Sequence, residues 1–226
     1  SQALARNVEV VRIATDPARF EAGTFDPTLK SDYCFTGSFF NAPREIVYNL
    51  VPDKIPYTFG LYGHGWDRVP QFAPFARGPL PYTRMPDVYA STRIVIDDAN
   101  SATKEWGSVN SRVFDAIAGG ALVVTNGVIG AKEVFGDLLP TYSNLQELET
   151  LLHEFLGNED HRKARVSALQ EVLHKSETYT HRAAQAKAAL IRNSATQMRF
   201  AIKIGAPRAA VQNEWGDYHY AVGLRR

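Results

Sequence analysis

Short apolar runs alternate along this chain with segments in which apolar residues recur at helical spacing. Continuous runs of this kind are typical of strands covered on both faces of a sheet, and apolar positions three or four residues apart predict helices. The predicted strands are residues 8–13, 33–37, 57–62, 93–96, 121–125, 139–142 and 199–205. The predicted helices are residues 44–50, 85–92, 113–118, 130–135, 145–156, 160–174, 180–192 and 215–224. The alternation predicts an α/β fold with a doubly wound parallel sheet and C-terminal helices.

The most informative stretch is residues 106–126, in which a polar loop leads into a short helix and then into a buried strand. Gly119 and Gly120 are expected to end the helix, because glycine adopts a left-handed backbone at little cost. Asn110 or Ser111 is expected to cap its start. On these residues alone, an ordinary capped helix that feeds a core strand explains the pattern.

The start of this helix is also a candidate anion site. Free backbone N–H groups and the helix dipole favour negative charge there, and Gly107 lets a ligand approach the backbone closely. Arg112 adds a fork of donors suited to phosphate. Asp115 lies one turn further on, where it can accept a hydrogen bond from a sugar hydroxyl. Because the anion preference of helix N-termini is general, these residues do not exclude the ordinary helix.

Small and polar residues also follow two other predicted strands. Gly37 and Ser38 end the strand at 33–37, and Arg44 begins the next helix. This order places them at the carboxyl edge of the sheet, where open α/β sheets bind ligands. Arg44 is equally explained as a solvated cation. His64, which follows Gly63, is either a ligand contact or a turn residue, and the glycines around it lack the spacing of a dinucleotide fingerprint.

Two further segments have less specific patterns. Gly78 and Tyr82 lie in a Pro-rich aromatic stretch, where the tyrosine either stacks on a ligand or packs in the core. Asp97 and Asp98 follow the strand at 93–96. Adjacent carboxylates in an extended segment point apart, so we expect a loop role for this pair and no metal site.

Composition limits the functional classes. The 226 residues include 25 basic and 24 acidic side chains, a net charge of +1, which argues against nucleic acid as a partner. The single cysteine, Cys34, excludes an internal disulfide and fits a reducing, cytoplasmic compartment. No apolar run is long enough to predict a transmembrane segment.

The stretch 106–126 resembles the donor-site signature of group-1 glycosyltransferases of the GT-B fold, and most closely that of the CgeB-like, spore-maturation-type branch. That branch carries an Asn-x-Arg-x-Phe-acid-x-x-Ala-x-Gly pattern. The matching residues are Asn110, Arg112, Phe114, Asp115, Ala118 and Gly120. Elements at 15–20 (Thr-Asp-Pro…Phe) and 178–183 (Thr-Tyr…His-Arg-Ala) also match. Better-known group-1 transferases have two Glu residues in this block, whereas this chain has Gly107 at the first position and Asp115 at the second.

The resemblance implies that residues 1–195 form a Rossmann-like, nucleotide-sugar (donor) binding domain, the C-terminal half of a GT-B fold. Such a domain serves transfer of a sugar from a nucleotide-diphosphate sugar to an acceptor, such as a glycan, without a tightly bound cofactor. The expected catalytic residues are Arg44, Arg112 and Asp115. The expected nucleotide contacts are Gly37, Ser38, Gly63, His64, Gly78, Tyr82, Gly107, Val109, Asn110 and Ser111. The alternative is a non-catalytic Rossmann-like module that binds a ligand or a partner.

Residues 196–226 predict a strand and a helix that follow this domain and resemble the start of an acceptor domain. We expect the chain to be either a truncated tandem protein or a domain cut slightly too long, and alone it is expected to transfer no sugar. An apolar strand outside its own sheet leaves backbone groups unpaired. We therefore expect it to pair with the same segment of a second copy, which gives a homodimer, or to add to the edge of its own sheet.

Overall fold

Four parallel strands form the central sheet of the structure, a computed structural model that describes residues 10–40, 44–99, 101 and 103–193. The order across the sheet is β2-β1-β3-β4. The strands are β1 (Ser31–Thr36), β2 (Phe59–Tyr62), β3 (Thr92–Asp97) and β4 (Leu122–Thr125). All of their pairings are parallel. The predicted fold class and these four predicted strands are confirmed, with bounds that differ by a few residues.

The strand order creates a crevice at the carboxyl edge of the sheet. The chain passes from β1 to β2 in one direction and then returns to build β3 and β4 on the other side of β1. Connections from neighbouring strands therefore diverge beyond β1 and β3, and open α/β sheets bind ligands at such a switch point. Nearly all residues of the four strands are buried, as expected for a sheet flanked by helices.

Eight α-helices flank or follow the strands in the described part of the chain. They are α1 (Pro17–Phe20), α2 (Glu45–Asn49), α3 (Met85–Ala90), α4 (Ser111–Ala118), α5 (Val128–Phe135), α6 (Leu145–Gly157), α7 (Glu159–Ser176) and α8 (Tyr179–Asn193). The predicted cap of α6 is confirmed, because the Asn144 side chain accepts a hydrogen bond from the backbone N–H of Glu147 at 3.0 Å. None of these helices is long and apolar enough to span a bilayer.

Two strand predictions are wrong where the structure describes them. Residues 10–13 form no strand and lie along α8 instead, where Arg182 donates to the carbonyl of Arg12 and Gln185 to that of Val10. Residues 139–142 contribute only an isolated bridge between Thr141 and Thr125, beside the end of β4. Both segments are apolar enough to predict strands, but neither extends the sheet.

The chain divides by its contacts into a unit of Val8–Lys187, which contains the sheet, and a second unit of Ser1–Asn7 with Ala188–Arg226. Of the second unit the structure describes only residues 188–193, the end of α8. The predicted strand and helix within 196–226, and with them the predicted homodimer contact, lie outside the described residues.

Glycines hold the loops that follow β1 and β2 against each other. Gly63 has φ +142°, and a Cβ atom there would lie 2.3 Å from the carbonyl oxygen of Gly37. Gly65 has φ +82°, and a Cβ atom there would lie 2.3 Å from the carbonyl oxygen of Phe39. Any other residue at either position would force the two loops apart and strain the backbone.

We therefore expect Gly63→Ala to lower the free energy of unfolding by about 1–3 kcal/mol, because both the backbone angle and the close approach exclude a methyl group. Gly157→Ala is the matched control, since a Cβ atom at Gly157 would have no neighbour within 4 Å. Urea denaturation measures both variants. Equal stability of the two variants would contradict the steric argument.

Candidate functional site

A cleft of about 290 Å³ opens at the carboxyl edge of β1 and β2, beside the start of α4. Its lining residues are Thr36, Gly37, Ser38, Tyr62, Gly63, His64, Pro79, Leu80, Tyr82, Met85, Tyr89, Ser111, Arg112 and Asp115. Eight of the residues proposed from the sequence are among them: Gly37, Ser38, Gly63, His64, Tyr82, Ser111, Arg112 and Asp115. The structure thus brings together loops that are far apart in sequence.

The loops after β1 and β2 form one side of the cleft and are joined by hydrogen bonds. The backbone N–H of Gly37 donates to the carbonyl of Tyr62 at 2.8 Å, and that of His64 donates to the Ser38 hydroxyl at 3.0 Å. The indole N–H of the buried Trp66 donates to the carbonyl of Gly37 at 2.6 Å. These bonds fix the backbone of this side before any ligand arrives.

Arg112 presents a held guanidinium group to the cleft. Its Nε donates to the carbonyl of Thr36 at 2.7 Å, and its Nη1 donates to Asp97 Oδ1 at 2.9 Å. The group also lies over the Phe35 ring, 4.6 Å from the ring centroid. Nη2 makes no hydrogen bond within the described part of the chain, and it lies 2.8 Å from where a Cβ atom on Gly37 would be. The arrangement leaves donors for an anion on a side chain that is otherwise immobilised.

Asp97 anchors Arg112, which corrects the prediction of a loop role. It is the last residue of β3, is 1% exposed, and its Oδ1 also accepts from the Asn110 side chain at 2.7 Å. Its Oδ2 accepts from the Thr125 hydroxyl at 2.7 Å. A buried carboxylate needs such partners, because desolvation without them is costly. No local pattern indicates this role, since the partners lie 13 to 28 residues further along the chain.

Asp98 is buried as well and is paired with a second arginine. Its carboxylate lies 3.6 Å from Arg44 Nη1, and burial raises the pKa of this carboxyl despite the arginine. Within the described residues, no group of three or more His, Cys, Asp or Glu side chains converges in a way that suits a metal ion.

Asp115 faces the cleft from one turn inside α4, although it is only 4% exposed. Its Oδ1 accepts from the Thr15 hydroxyl at 2.6 Å, and its Oδ2 accepts from the Tyr82 hydroxyl at 3.3 Å. Burial raises the pKa of Asp115 to about 7, against the lowering effect of these hydrogen bonds. The side chain therefore changes charge near neutral pH.

Five residues proposed from the sequence do not line the cleft. Gly107 ends a 3-10 turn with φ +70° and packs on α5, where its carbonyl would clash with a side chain at Gly130. Val109 packs against the same glycine. Asn110 does not cap α4 with its side chain, since the amide donates to Asp97 instead.

The other two lie close to the cleft without lining it. Arg44 is turned toward Asp98 and the Phe35 ring, 5.6 Å from the ring centroid. Gly78 has φ +77°, and its carbonyl accepts from the N–H of Gly63 at 3.0 Å, so it supports a lining loop.

Sequence reasoning named only some of the residues that line the cleft. Six lining residues were not proposed: Thr36, Tyr62, Pro79, Leu80, Met85 and Tyr89. Most are apolar or aromatic, and Tyr89 is tied to Thr36 by a 3.1 Å hydrogen bond between their hydroxyls. The Pro-rich aromatic stretch around Tyr82 was the sequence feature that could have indicated Pro79 and Leu80.

The comparisons with known proteins agree with this architecture. Residues 41–188 match the model of a family described as glycosyl transferase-like, and the chain belongs to that family. A comparison with curated proteins finds no significant match.

Solved structures share the fold at low sequence identity. A mutant of the T4 phage protein BGT, in complex with UDP-glucose, has a TM-score of 0.59 and 17% identity over 82% of this chain and 51% of its own. Trehalose-6-phosphate synthase OtsA has a TM-score of 0.57 and 11% identity, over 80% of this chain and 50% of its own. WaaG, a glycosyltransferase involved in lipopolysaccharide biosynthesis, has a TM-score of 0.56 and 14% identity, over 81% of this chain and 55% of its own. The chain spans about half the length of these proteins, and its sheet has the α/β, Rossmann-like fold of GT-B glycosyltransferases.

The ion pair between Asp97 and Arg112 gives the first prediction from the site. Asp97→Ala leaves Arg112, Asn110 and Thr125 without their shared acceptor, so we expect the free energy of unfolding to fall by about 3–5 kcal/mol. Lys163→Ala removes only an exposed ion pair with Glu159 and should cost less than about 1 kcal/mol. Denaturant unfolding measures the free energy of unfolding of both variants. Similar losses would show that the buried ion pair stabilises the fold no more than an exposed one.

Asp115 predicts a specific pH dependence of stability. Its pKa is about 7 in the folded chain against 3.8 as the ordinary value, so the folded state holds this proton longer. The contribution of this bound proton to the free energy of unfolding is complete below about pH 4. It is lost as pH rises from about 4 to 7, by up to about 1.4 kcal/mol per pH unit. Asp115→Asn should lack this component. Unfolding free energies of both proteins between about pH 4 and 8 test it, and a difference that is constant with pH would contradict it.

Proposed function

We propose that this chain is the donor-binding domain of a glycosyltransferase, which binds a nucleotide-diphosphate sugar in the cleft beside α4. The observation that carries the proposal is the arrangement at the start of α4. There, Arg112 Nη2 and the backbone N–H groups of Ser111 and Arg112 have no acceptor within the described residues, and both residues line one cleft. Free helix N–H groups and a guanidinium fork together suit a diphosphate.

The rest of the cleft fits the remaining parts of such a donor. Asp115 lies where it can accept hydrogen bonds from ribose hydroxyls, and the wall formed by Pro79, Leu80 and Tyr82 offers apolar and aromatic surface to a base. The similarity in fold to proteins solved with UDP-glucose supports this assignment of the cleft.

In catalysis, the proposed role of Arg112 is to stabilise the negative charge that develops on the departing nucleotide diphosphate. A fixed cation suits that role because it needs no reorganisation as the bond breaks. We propose a supporting role for Arg44, whose guanidinium lies against the same Phe35 ring as that of Arg112 and adds positive charge behind it.

The finer assignment to the CgeB-like branch rests on the pattern from Asn110 to Gly120 and on Gly107 at the position of the first Glu. In the structure Gly107 packs on α5, and the Glu133 carboxylate lies 3.0 Å from where a Cβ atom on Gly107 would be. We propose that acceptor contacts come from a second domain, because ligand sites favour domain interfaces. The isolated chain is then a binding domain that transfers no sugar by itself.

Calorimetric titration with UDP, GDP, ADP and TDP tests the donor site. Arg112→Ala should weaken the tightest of them by about 1.5–3 kcal/mol, the scale of a hydrogen bond to a charged group. Lys175→Ala is the charge-matched control, since Lys175 is exposed at the end of α7. Arg112→Lys preserves a charge for Asp97 and should give an intermediate loss.

Circular dichroism at the titration temperature checks that each variant is folded. Unchanged affinity in both Arg112 variants would remove Arg112 from the site. Failure of all four nucleotides to bind the wild-type chain would favour the alternative, a non-catalytic module for another ligand or partner.

A further inference from the structure

The N-terminal strap, residues 10–16, delivers one buried side chain to the cleft. The strap lies along the start of α8, where the backbone N–H of Thr15 donates to the carbonyl of Glu177 at 3.3 Å. The carbonyl of Thr15 in turn accepts from the N–H of Tyr179 at 3.0 Å. Thr15 is therefore held on both sides of its backbone, and its side chain is fully buried.

The Thr15 hydroxyl reaches across 100 residues of sequence to Asp115 Oδ1 at 2.6 Å. The second carboxylate oxygen accepts the longer hydrogen bond, at 3.3 Å, from Tyr82, which lines the cleft. Thr15 itself does not line the cleft, and it precedes residues 41–188, which match the family model.

We propose that Thr15 is a positioning residue for Asp115: its hydroxyl fixes one carboxylate oxygen, so that the other is presented to the ribose hydroxyls of the bound nucleotide. The proposal rests on the proposed function, because it requires that Asp115 meets the ribose. It adds a residue that acts through Asp115 and touches no substrate.

The surroundings of Asp115 make the hydroxyl of Thr15 important for the charged form of the carboxyl. Burial opposes the charged form, and the groups that face the carboxyl from neighbouring elements are Thr15 of the strap, Arg19 of α1, Tyr82, Tyr89 of α3, and Arg112 of α4 itself. The hydrogen bond from Thr15 is the strongest of the influences that lower the pKa of Asp115. Without it, the carboxyl is free to rotate and holds its proton to higher pH.

The test compares Thr15→Val with Thr15→Ser, which keeps the hydroxyl. The ligands are the tightest binder among UDP, GDP and ADP, its 2′-deoxy form, and inorganic pyrophosphate. At about pH 7 Thr15→Val should bind the ribonucleotide about tenfold more weakly, the size expected for a hydrogen bond to a charged group. Pyrophosphate affinity should not change, and the loss for the 2′-deoxy form should be smaller. Thr15→Ser should stay close to wild type.

The pH profile adds a readout that a purely structural role would not move. The loss in Thr15→Val should shrink at about pH 9, where Asp115 is ionised in both proteins, and it should vanish in an Asp115→Asn background. Circular dichroism checks folding, and Thr15→Ala is the second variant should valine distort the strap.

Three results overturn the inference while the proposed function stands: a wild-type affinity for the ribonucleotide in Thr15→Val, an equal loss for ribonucleotide and pyrophosphate, or a serine variant as weak as the valine variant. Failure of UDP, GDP, ADP and TDP alike to bind the wild-type chain is a different result. It overturns the proposed function, and this inference with it.

Discussion

The ion pair between Asp97 and Arg112 is the interaction on which the cleft depends. Through it, one path of hydrogen bonds crosses the carboxyl ends of three neighbouring strands: from Thr36 on β1 to Arg112, then to Asp97 on β3, and then to Thr125 on β4. A buried ion pair depends on additional hydrogen bonds to both partners, because the cost of desolvating the two charges would otherwise exceed their attraction. The same constraint that stabilises the sheet edge also sets the direction of the guanidinium group.

This pairing also has an electrostatic consequence for a bound anion. A carboxylate beside Arg112 reduces the net positive charge of the site, so the site gains less from long-range attraction than a free arginine would give. What it gains is a donor fixed in place before binding, with less side-chain entropy to lose. The cleft is therefore suited to select the geometry of a ligand more than its charge.

The sequence predicted the parts of the fold that follow from local pattern. The run Leu122–Thr125 is apolar throughout and forms a buried strand, and the helix before it ends at its glycines. Residues 10–13 show the limit of the same reasoning. Their pattern fits a strand, but hydrogen bonds from Arg182 and Gln185 occupy their carbonyls, and no local signal indicates that choice.

For the candidate site, the sequence indicated the helix start but not its supports. Arg112 and Asp115 were expected at the cleft, because a helix N-terminus with nearby donors is a candidate anion site and the resemblance to a donor-site signature favoured that interpretation over an ordinary capped helix. The buried role of Asp97 was not predictable, since it depends on which distant side chains the fold brings to it. Gly107 was expected beside a ligand, and the structure uses its left-handed backbone for packing on α5.

The strap and α8 lie side by side, with Gln185 donating to the carbonyl of Val10. Val10, the first described residue of the sheet-containing unit of Val8–Lys187, thus lies beside Gln185, close to the end of that unit. Units with adjoining ends tolerate circular permutation and insertion into a host chain, because both connections cross one short gap. New ends could be opened in an exposed loop and the old ones joined by a short linker, and the cleft would be preserved only if that linker kept Thr15 in its register on α8.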